Sequence, residues 1–461
     1  MADNLVESQG IQYPQDFSLN SLMLLTASGE SIELKRLLVD FSYYEDIYTF
    51  VMSGHVTLLD AYGYSELLNL SGNEFLSIDF NKTNNPDNSL KRTFRVYKSG
   101  PRIPSGNQNG EIFTLYFCSE ELLLSEQSKV NKAYIGKTIY DIVTDILIDR
   151  ETNGKLRIDS RRIETIEETL GTYNFIVPKI KPFEAISWLS NYARPKKLGT
   201  TGGADMLFFE TKNGFNFRSL QSMFEDDAYT DYTYSADNLN SDKQSLKDKI
   251  SNVIDYEISK PYDVLNEINS GTFANRLITV DPTTKSYRVT DFNYLKYKTQ
   301  SKTLNKESPT GSSENRLNNT IFQSSEGTLK LAFSNANQVD VPYIKQQGGA
   351  SKDIYAETYV PNRTAQISLA NYTTIKIIVP GDPAITAGKT VNFNLLTLKP
   401  TLGKKELDKH YSGKYLVSAV RHIVSPAGSY QTILELSKDS SPKNYPEINL
   451  NSTEWKKAVN K

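Results

Sequence analysis

The sequence predicts a β-rich α+β fold divided into several domains. Its 461 residues are too many for one core, because domains usually hold about 100–200 residues. Aromatic residues make up 11% of the chain and Tyr alone supplies 28, a composition suited to sheet and loop. Most of the chain alternates apolar and polar residues, and a helical period takes over in two stretches near its middle.

The first β unit spans 11–126, after a polar N-terminus over 1–10 expected to be flexible. "SIELKRLLVDFSYYEDIYTFVMSGHVTLLDAY" holds several alternating runs, and "RTFRVYKSG" and "EIFTLYFCS" follow between Gly/Pro/Asn turns. Short strands at such spacing read as a barrel or sandwich. A mixed α/β unit is expected over 127–235. In "KTIYDIVTDILIDR", Ile139, Ile142, Val143, Ile146 and Leu147 share one helical face, and Thr138 with Asp141 has capping-box spacing. A second helix begins near Pro182, with Ala185, Trp188, Leu189 and Tyr192 on one stripe and Pro195 beyond its end.

A mixed β/loop unit is expected over 236–345, with Thr299–Ser325 as an exposed polar connection. The second β unit covers 346–440 and an extended arm covers 441–461. "LNLSGNEFLSIDF" and "IIVPGDPAITAGKTVNFNL" share a strand–turn–strand form, which would make the first and last β units copies of one module.

Charge and motifs exclude more than they assign. With 52 Lys+Arg against 54 Asp+Glu the net charge is −2, unlike a dedicated nucleic-acid binder. The single Cys118 excludes an internal disulfide framework and reads as a buried, inert thiol. The N-terminus has no apolar signal-peptide core and no run reaches the ~18 apolar residues of a membrane helix, so a soluble chain without a membrane anchor is expected. "NKAYIGKT" and "PAITAGKT" mimic a phosphate-binding loop, but Asn131 and Pro383 stand where its first glycine is needed. His55, His410 and His422 lack metal-ligand spacing, and His422 reads as a hydrogen-bonded sheet residue. The pairs Glu45–Asp46 and Asp226–Asp227 match a glycosidase acid and base only in composition, since sequence neighbours on a strand point to opposite faces. No catalytic, cofactor-binding or metal-ligating residue is assigned, and no cofactor.

"MLFFETKNGFNFRSLQ" reads as a hairpin. Asn213-Gly214 suits the positive φ angles of a tight turn. Phe215 and Phe217 share a face expected to pack beneath the helix of Trp188, Leu189 and Tyr192. Phe209 with Leu207 marks the apolar face of the first strand. Phe208 and an exposed Arg218 are left over as candidate subunit contacts.

Three stretches carry a resemblance: "SYYEDIYTFVMSGHVTLLDAYG"; "VPKIKPFEAISWLSNYA" with "MLFFETKNGFNFRSLQSMF"; and "IVPGDPAITAGKTVNFNL" with "YSGKYLVSAVRHIV" and "YQTILELS". Together they resemble the baseplate hub protein of contractile-tailed phages, similar to the T-even phage hub. The hub part of type VI secretion spike proteins is more distantly similar. The resemblance implies two tube-like β-barrels with an inserted α/β domain, and a homotrimer whose pseudo-six-fold ring meets the hexameric tail tube or its initiator proteins on one side. The trimeric spike would meet the other side. Baseplate wedge proteins and the tape measure protein are further implied partners, and DNA would pass through without specific binding. The chain would be a non-enzymatic virion component assembled in the host cytoplasm. The alternatives are a cell-wall or glycan-active tail enzyme, or the hub of a tailocin or type VI-like injection system. The polar stretch after Thr299 and the terminal arm depart from the T-even pattern, and Tyr445 and Trp455 are expected to dock the arm on the spike or a neighbouring subunit.

Overall fold

Twenty-two strands and seven α-helices are described in a computed structural model. The structure describes residues 17–27, 29–61, 63, 70–82, 85–105, 110–148, 156, 158–201, 203–234, 251–281, 285–297, 301–306, 328–333, 356–397, 406–425 and 429–442. In chain order the first part holds β1 (Phe17–Leu25), β2 (Ser31–Glu33), β3 (Leu38–Asp46), β4 (Ser53–Asp60), β5 (Phe75–Lys82), β6 (Asn85–Ser99), β7 (Ile103–Pro104) and β8 (Glu111–Cys118). The middle holds α1 (Glu120–Gln127), β9 (Val130–Lys137), α2 (Ile139–Ile148), β10 (Ile163–Ile166), β11 (Tyr173–Ile180), α3 (Pro182–Ser190), β12 (Met206–Thr211), β13 (Gly214–Ser219) and α4 (Leu220–Glu225). Then come β14 (Asp231–Tyr234), β15 (Asp255–Lys260), α5 (Val264–Asn269), β16 (Ala274–Asp281), β17 (Ser286–Asn293), α6 (Tyr294–Tyr297) and β18 (Leu329–Phe333). The last part holds α7 (Ala356–Ala370), β19 (Thr373–Pro380), β20 (Thr390–Leu395), β21 (Gly413–Ser425) and β22 (Ser429–Lys438).

The two β units belong to one sheet. Its fourteen strands run β15-β19-β22-β21-β3-β4-β8-β6-β5-β1-β2, with β7, β14 and β20 joined off this path. In place of the two separate tube-like barrels of the sequence-based expectation, no sheet closes into a barrel among the described residues. The join is β3 against β21, paired antiparallel from Ala419↔Asp46 to Val424↔Phe41. The strand pattern explains why this seam forms. Phe41 and Tyr43 alternate inward on β3, and His422 and Val424 do so on β21, so pairing buries both rows on the same side.

The β21–β22 hairpin also feeds the first unit's core. Val424 and Tyr430 pack with Phe41, Tyr43, Phe80 and Phe117. His422 stacks on Tyr43, with ring centroids 4.3 Å apart, and its Nδ1 lies 2.9 Å from the Tyr430 hydroxyl. Burial holds this imidazole neutral by pushing its pKa down to about 3. The expectation of a hydrogen-bonded sheet histidine describes His422 well, but not its place at the seam. The two echoing stretches do not occupy equivalent places: β5 lies between antiparallel β1 and β6, whereas β20 has antiparallel β21 and parallel β14.

The helices and strands from α1 to α4 lie between β8 and β14 in chain order. α2 begins as expected: the Thr138 N–H donates to Asp141 Oδ2 and the Asp141 N–H to Thr138 Oγ1, a reciprocal capping box. The five apolar residues named above for α2 are fully buried, and they pack with α3 and the β9–β11 ribbon around one core. Two strands outside the expected second β unit join its sheet: β14 pairs with β20, and β15 with β19. The connection expected to be exposed is anchored at its described part. Leu304 is buried, and Asn305 donates through Nδ2 to the carbonyls of Lys414 and Ser440. The rest of that stretch, 299–300 and 307–325, lies outside the described residues, as do residues 1–10 and the arm beyond 442.

The seam predicts that the first β unit does not fold alone. A fragment of residues 1–126 leaves β3 as a bare edge and removes Val424 and Tyr430 from its core. Its amide NMR spectrum is expected to show poor dispersion, or the fragment to aggregate, where the full chain is folded.

Candidate functional site

The hairpin quoted above lies where the three parts of the chain meet. β12 and β13 pair from Met206↔Ser219 to Thr211↔Gly214, which leaves Lys212 and Asn213 as the two turn residues. Neither has a positive φ, so the expected Asn-Gly turn is not what closes the hairpin. Gly214 serves another purpose. Its φ is +153°, and a Cβ there would sit 2.4 Å from the carbonyl oxygen of Arg162, where β10 runs parallel to β13. Gly214 therefore admits the neighbouring backbone rather than shaping the turn.

The hairpin's two faces serve two cores. Phe208 stacks on Phe215 at 5.7 Å, and both lie near Phe183 of α3 in the α/β core with Phe217 and Leu189. Trp188 and Tyr192 stand at that core's rim, each against Phe175. Phe209 points the other way, into the second β unit's core with Met223, Val391 and Phe393. Phe209 and Leu207 share an apolar face as expected, but Phe208, expected to be left over for a partner, is in the α/β core. Phe208 is buried and unavailable to a partner, because it sits directly across from Phe217 and shares its face. Arg218 is not free either: it is half-buried and paired with Glu167 at 3.2 Å and Asp226 at 2.9 Å. Tyr445 and Trp455 lie outside the described residues.

Buried charge fastens this junction. Glu210 of β12 is fully enclosed and accepts from the Met52 N–H at 3.0 Å, from Arg162 Nη2 at 2.8 Å and from Arg92 of β6. Arg92 also donates to the Lys212 carbonyl at 2.9 Å, and Arg162 pairs with Glu121 of α1. Glu45 of β3 holds the turn from the other side. One carboxylate oxygen accepts from the Lys212 N–H at 2.8 Å, the other from the Ala387 N–H of the second β unit at 3.0 Å. Burial, offset in part by these two bonds, raises the Glu45 carboxyl to about 7. Asp205 repeats the device beneath α4: it accepts from Ser219 Oγ and the Gln221 N–H, and burial raises it to about 6. Sequence reasoning missed Glu210, Arg92 and Arg162, whose partners lie more than forty residues away. It did place Glu45 and Asp46 on opposite faces.

Among the described residues one arrangement has the residue types of a catalytic relay: Asp40–His55–Tyr44, with the His55 ring 3.3 Å from Asp40 and 3.1 Å from the Tyr44 hydroxyl. Burial, partly offset by Arg421, keeps that hydroxyl above its ordinary pKa, the opposite of an activated nucleophile. Cys118 is buried and its thiol is pushed up to about 12. The glycines of the two phosphate-loop mimics serve local structure: Gly388 lies against Phe209 and Met223, whereas Gly136 has open space beside it, takes a φ of +62° and donates its N–H to Asn174. No group of acidic, His or Cys residues that could hold a metal ion occurs among the described residues, and no described helix is long and apolar enough to cross a membrane.

The open face of the long sheet is mixed in charge. Cross-strand neighbours Glu257, Lys376, Glu435, Ala419 and Asp46 form one row across four pairings. Nearby, Arg421 lies over the Tyr44 ring and Lys98 over Tyr116.

No family model matches the sequence, and no curated protein does. Solved structures do match in fold. The 43 kDa tail protein of prophage MuSo2 from Shewanella oneidensis aligns with a TM-score of 0.51 at 9% identity, over 91% of this chain and 99% of that one. A tail protein from Neisseria meningitidis MC58 aligns at 0.49 and 12% identity, over 94% and 100%. Prophage tail protein gp18 from Listeria monocytogenes aligns at 0.43 and 9%, over 90% and 94%. The chain shares its fold with the MuSo2 tail protein.

The junction can be tested by substitution and by pH. Glu210→Ala leaves two arginines without their shared carboxylate, and is expected to cost about 3–5 kcal/mol in denaturant unfolding. The pair Glu210→Leu with Arg92→Met should cost clearly less than the two single changes summed. For Glu45 the folded state holds its proton more tightly than the unfolded state, whose reference value is 4.5. Its contribution is therefore full below that value and lost as pH rises through about 7. At about 1.4 kcal/mol per tenfold change in proton affinity, the loss is ~3 kcal/mol at most. Thermal midpoints of parent and Glu45→Gln at pH 5 and pH 8 should show the variant's deficit shrinking at the higher pH.

Proposed function

We propose that this chain is a structural component of a phage tail baseplate: a trimeric central hub that joins the tail tube to the spike and leaves a channel for DNA. The observation that carries the reading is the end-to-end fold match to the MuSo2 tail protein, which spans nearly all of both chains. The sequence resemblance to contractile-tail hubs points the same way.

The chemistry of the molecule supports a scaffold. Its buried acidic side chains fasten units together, as Glu210 and Glu45 do, rather than standing poised in a cleft. The large sheet's open face is not basic in the row from Glu257 to Asp46, which holds three carboxylates and one lysine. Phosphate binding needs clustered Lys and Arg, so a channel bordered by such a face would let DNA pass without gripping it. In this reading the spike, the tube or its initiators, the wedge proteins and the tape measure protein are the partners. A glycan-active enzyme finds no support in the Asp40–His55–Tyr44 relay, since burial raises the Tyr44 hydroxyl's pKa.

Native mass spectrometry of the full chain, alone and with its spike, is expected to give a trimer in at least the second sample. A chain that stays monomeric with the spike and degrades peptidoglycan would overturn the proposal.

A further inference from the structure

We propose that Asn213 is a latent deamidation site held shut by Glu164. Asn-Gly is the sequence most prone to this change, because glycine has no side chain to shield the attacking nitrogen and lets the backbone turn. The reaction needs only water. The Gly214 nitrogen bonds to Asn213 Cγ, the Cγ–Nδ2 bond breaks, and Nδ2 leaves as ammonia with the proton that the Gly214 nitrogen gives up. Water then opens the succinimide ring at one of its carbonyls, which yields aspartate or isoaspartate. The chain has three such pairs, Asn109-Gly110, Asn153-Gly154 and Asn213-Gly214, and the third lies at the turn of the β12–β13 hairpin.

Water reaches this turn, since Asn213 and Glu164 are both exposed. What opposes the reaction is how the amide and the peptide are held. Asn213 Nδ2, the leaving nitrogen, donates to Glu164 Oε1 at 2.9 Å. The other carboxylate oxygen accepts from Thr211 Oγ1 and from Asn216 Nδ2, each at 2.7 Å, so donors along the hairpin fix Glu164 in turn. Ring closure requires the amide carbon to leave Glu164 and swing over the Gly214 nitrogen. It also requires the Asn213–Gly214 peptide to turn. Gly214 is seated against the backbone at the start of β10, where a Cβ would stand 2.4 Å from the Arg162 oxygen and 3.0 Å from the Glu164 nitrogen. One short segment therefore supplies both restraints, the side chain of Glu164 on the amide and the Arg162 backbone on the glycine.

The restraint protects the junction. Isoaspartate routes the main chain through the former side chain and lengthens it by one carbon. In a turn of two residues this falls directly after Lys212, whose N–H reaches Glu45 at 2.8 Å and whose carbonyl takes Arg92 at 2.9 Å. Either product also sets a carboxylate against Glu164 where Asn213 now donates, and like charges repel at such a distance.

The test follows all three Asn-Gly pairs of the full chain by peptide mass spectrometry after incubation at mildly alkaline pH. In the folded parent, Asn213 is expected to convert far more slowly than in the same chain held in denaturant. Glu164→Ala should speed conversion at Asn213 by about tenfold, the weight of one hydrogen bond to a charged group, and leave Asn109 and Asn153 at their parental rates. Glu164→Asp, one methylene short of the amide, should give the same rise, and it serves in place of an alanine variant that fails to fold. Circular dichroism checks the fold of each. A rate at Asn213 in the folded parent equal to that in denaturant overturns the proposal. So does an unchanged or slower rate at Asn213 in folded Glu164 variants, the slower rate meaning that the carboxylate promotes the reaction. A rise shared by all three pairs means general loosening, and overturns the assignment to Glu164.

Discussion

A carboxylate that is wholly removed from water needs compensation from its neighbours, and Glu210 meets this demand with groups from three places in the chain. Met52 supplies a backbone N–H from the turn between β3 and β4, Arg92 comes from β6, and Arg162 from the start of β10. An ion buried this way adds little net stability compared with apolar packing, but it tolerates no misplacement. If the α/β unit slid by one residue against the first β unit, two guanidinium groups and a carboxylate would lose one another inside the protein. Glu45 extends the same constraint to the second β unit through the Ala387 N–H. The relative position of all three parts is thereby fixed by polar geometry as well as by contact area.

The seam between β3 and β21 works in the complementary way. It is apolar and aromatic, and its contribution comes from rings that belong to both units at once: Tyr43 on His422, Phe80 on Tyr430. A neutral His422 suits this place, since a charged imidazole would have no counter-ion among those rings. Aromatic interlocking supplies most of the cohesion here, and the buried ions supply registration. A body whose parts are joined by both cannot bend at the joint without breaking one of them.

Local pattern made some of this legible. The α2 helix and its capping box, the α3 stripe, the hairpin at 206–219 and the buried cysteine are all readable, because each depends on residues close together in sequence. Three things are not. The fusion of two β units into one sheet depends on β3 meeting β21, nearly the whole chain apart. The facing of Phe208 and Phe209 depends on which core each side of the hairpin meets, and two adjacent Phe residues carry no sign of that. Asn213-Gly214 looks like a turn signal, but the glycine is required by the Arg162 backbone across from it. A residue can satisfy a local rule for a reason that is not local.

This division bears on the proposed role as a baseplate component. In that role, partners attached to different units would pull across the joints between them. A joint built from apolar packing alone can creep, because displaced side chains find new contacts of similar energy. A joint keyed by Glu210 and Glu45 has no such continuum, since every intermediate position leaves a buried charge or N–H unpaired. The energy surface at the joint is steep near the native register even though the ions add little to its depth. Keeping buried ions where a hydrophobic substitute would be more stable is then consistent with a part whose task is to hold geometry while its neighbours move.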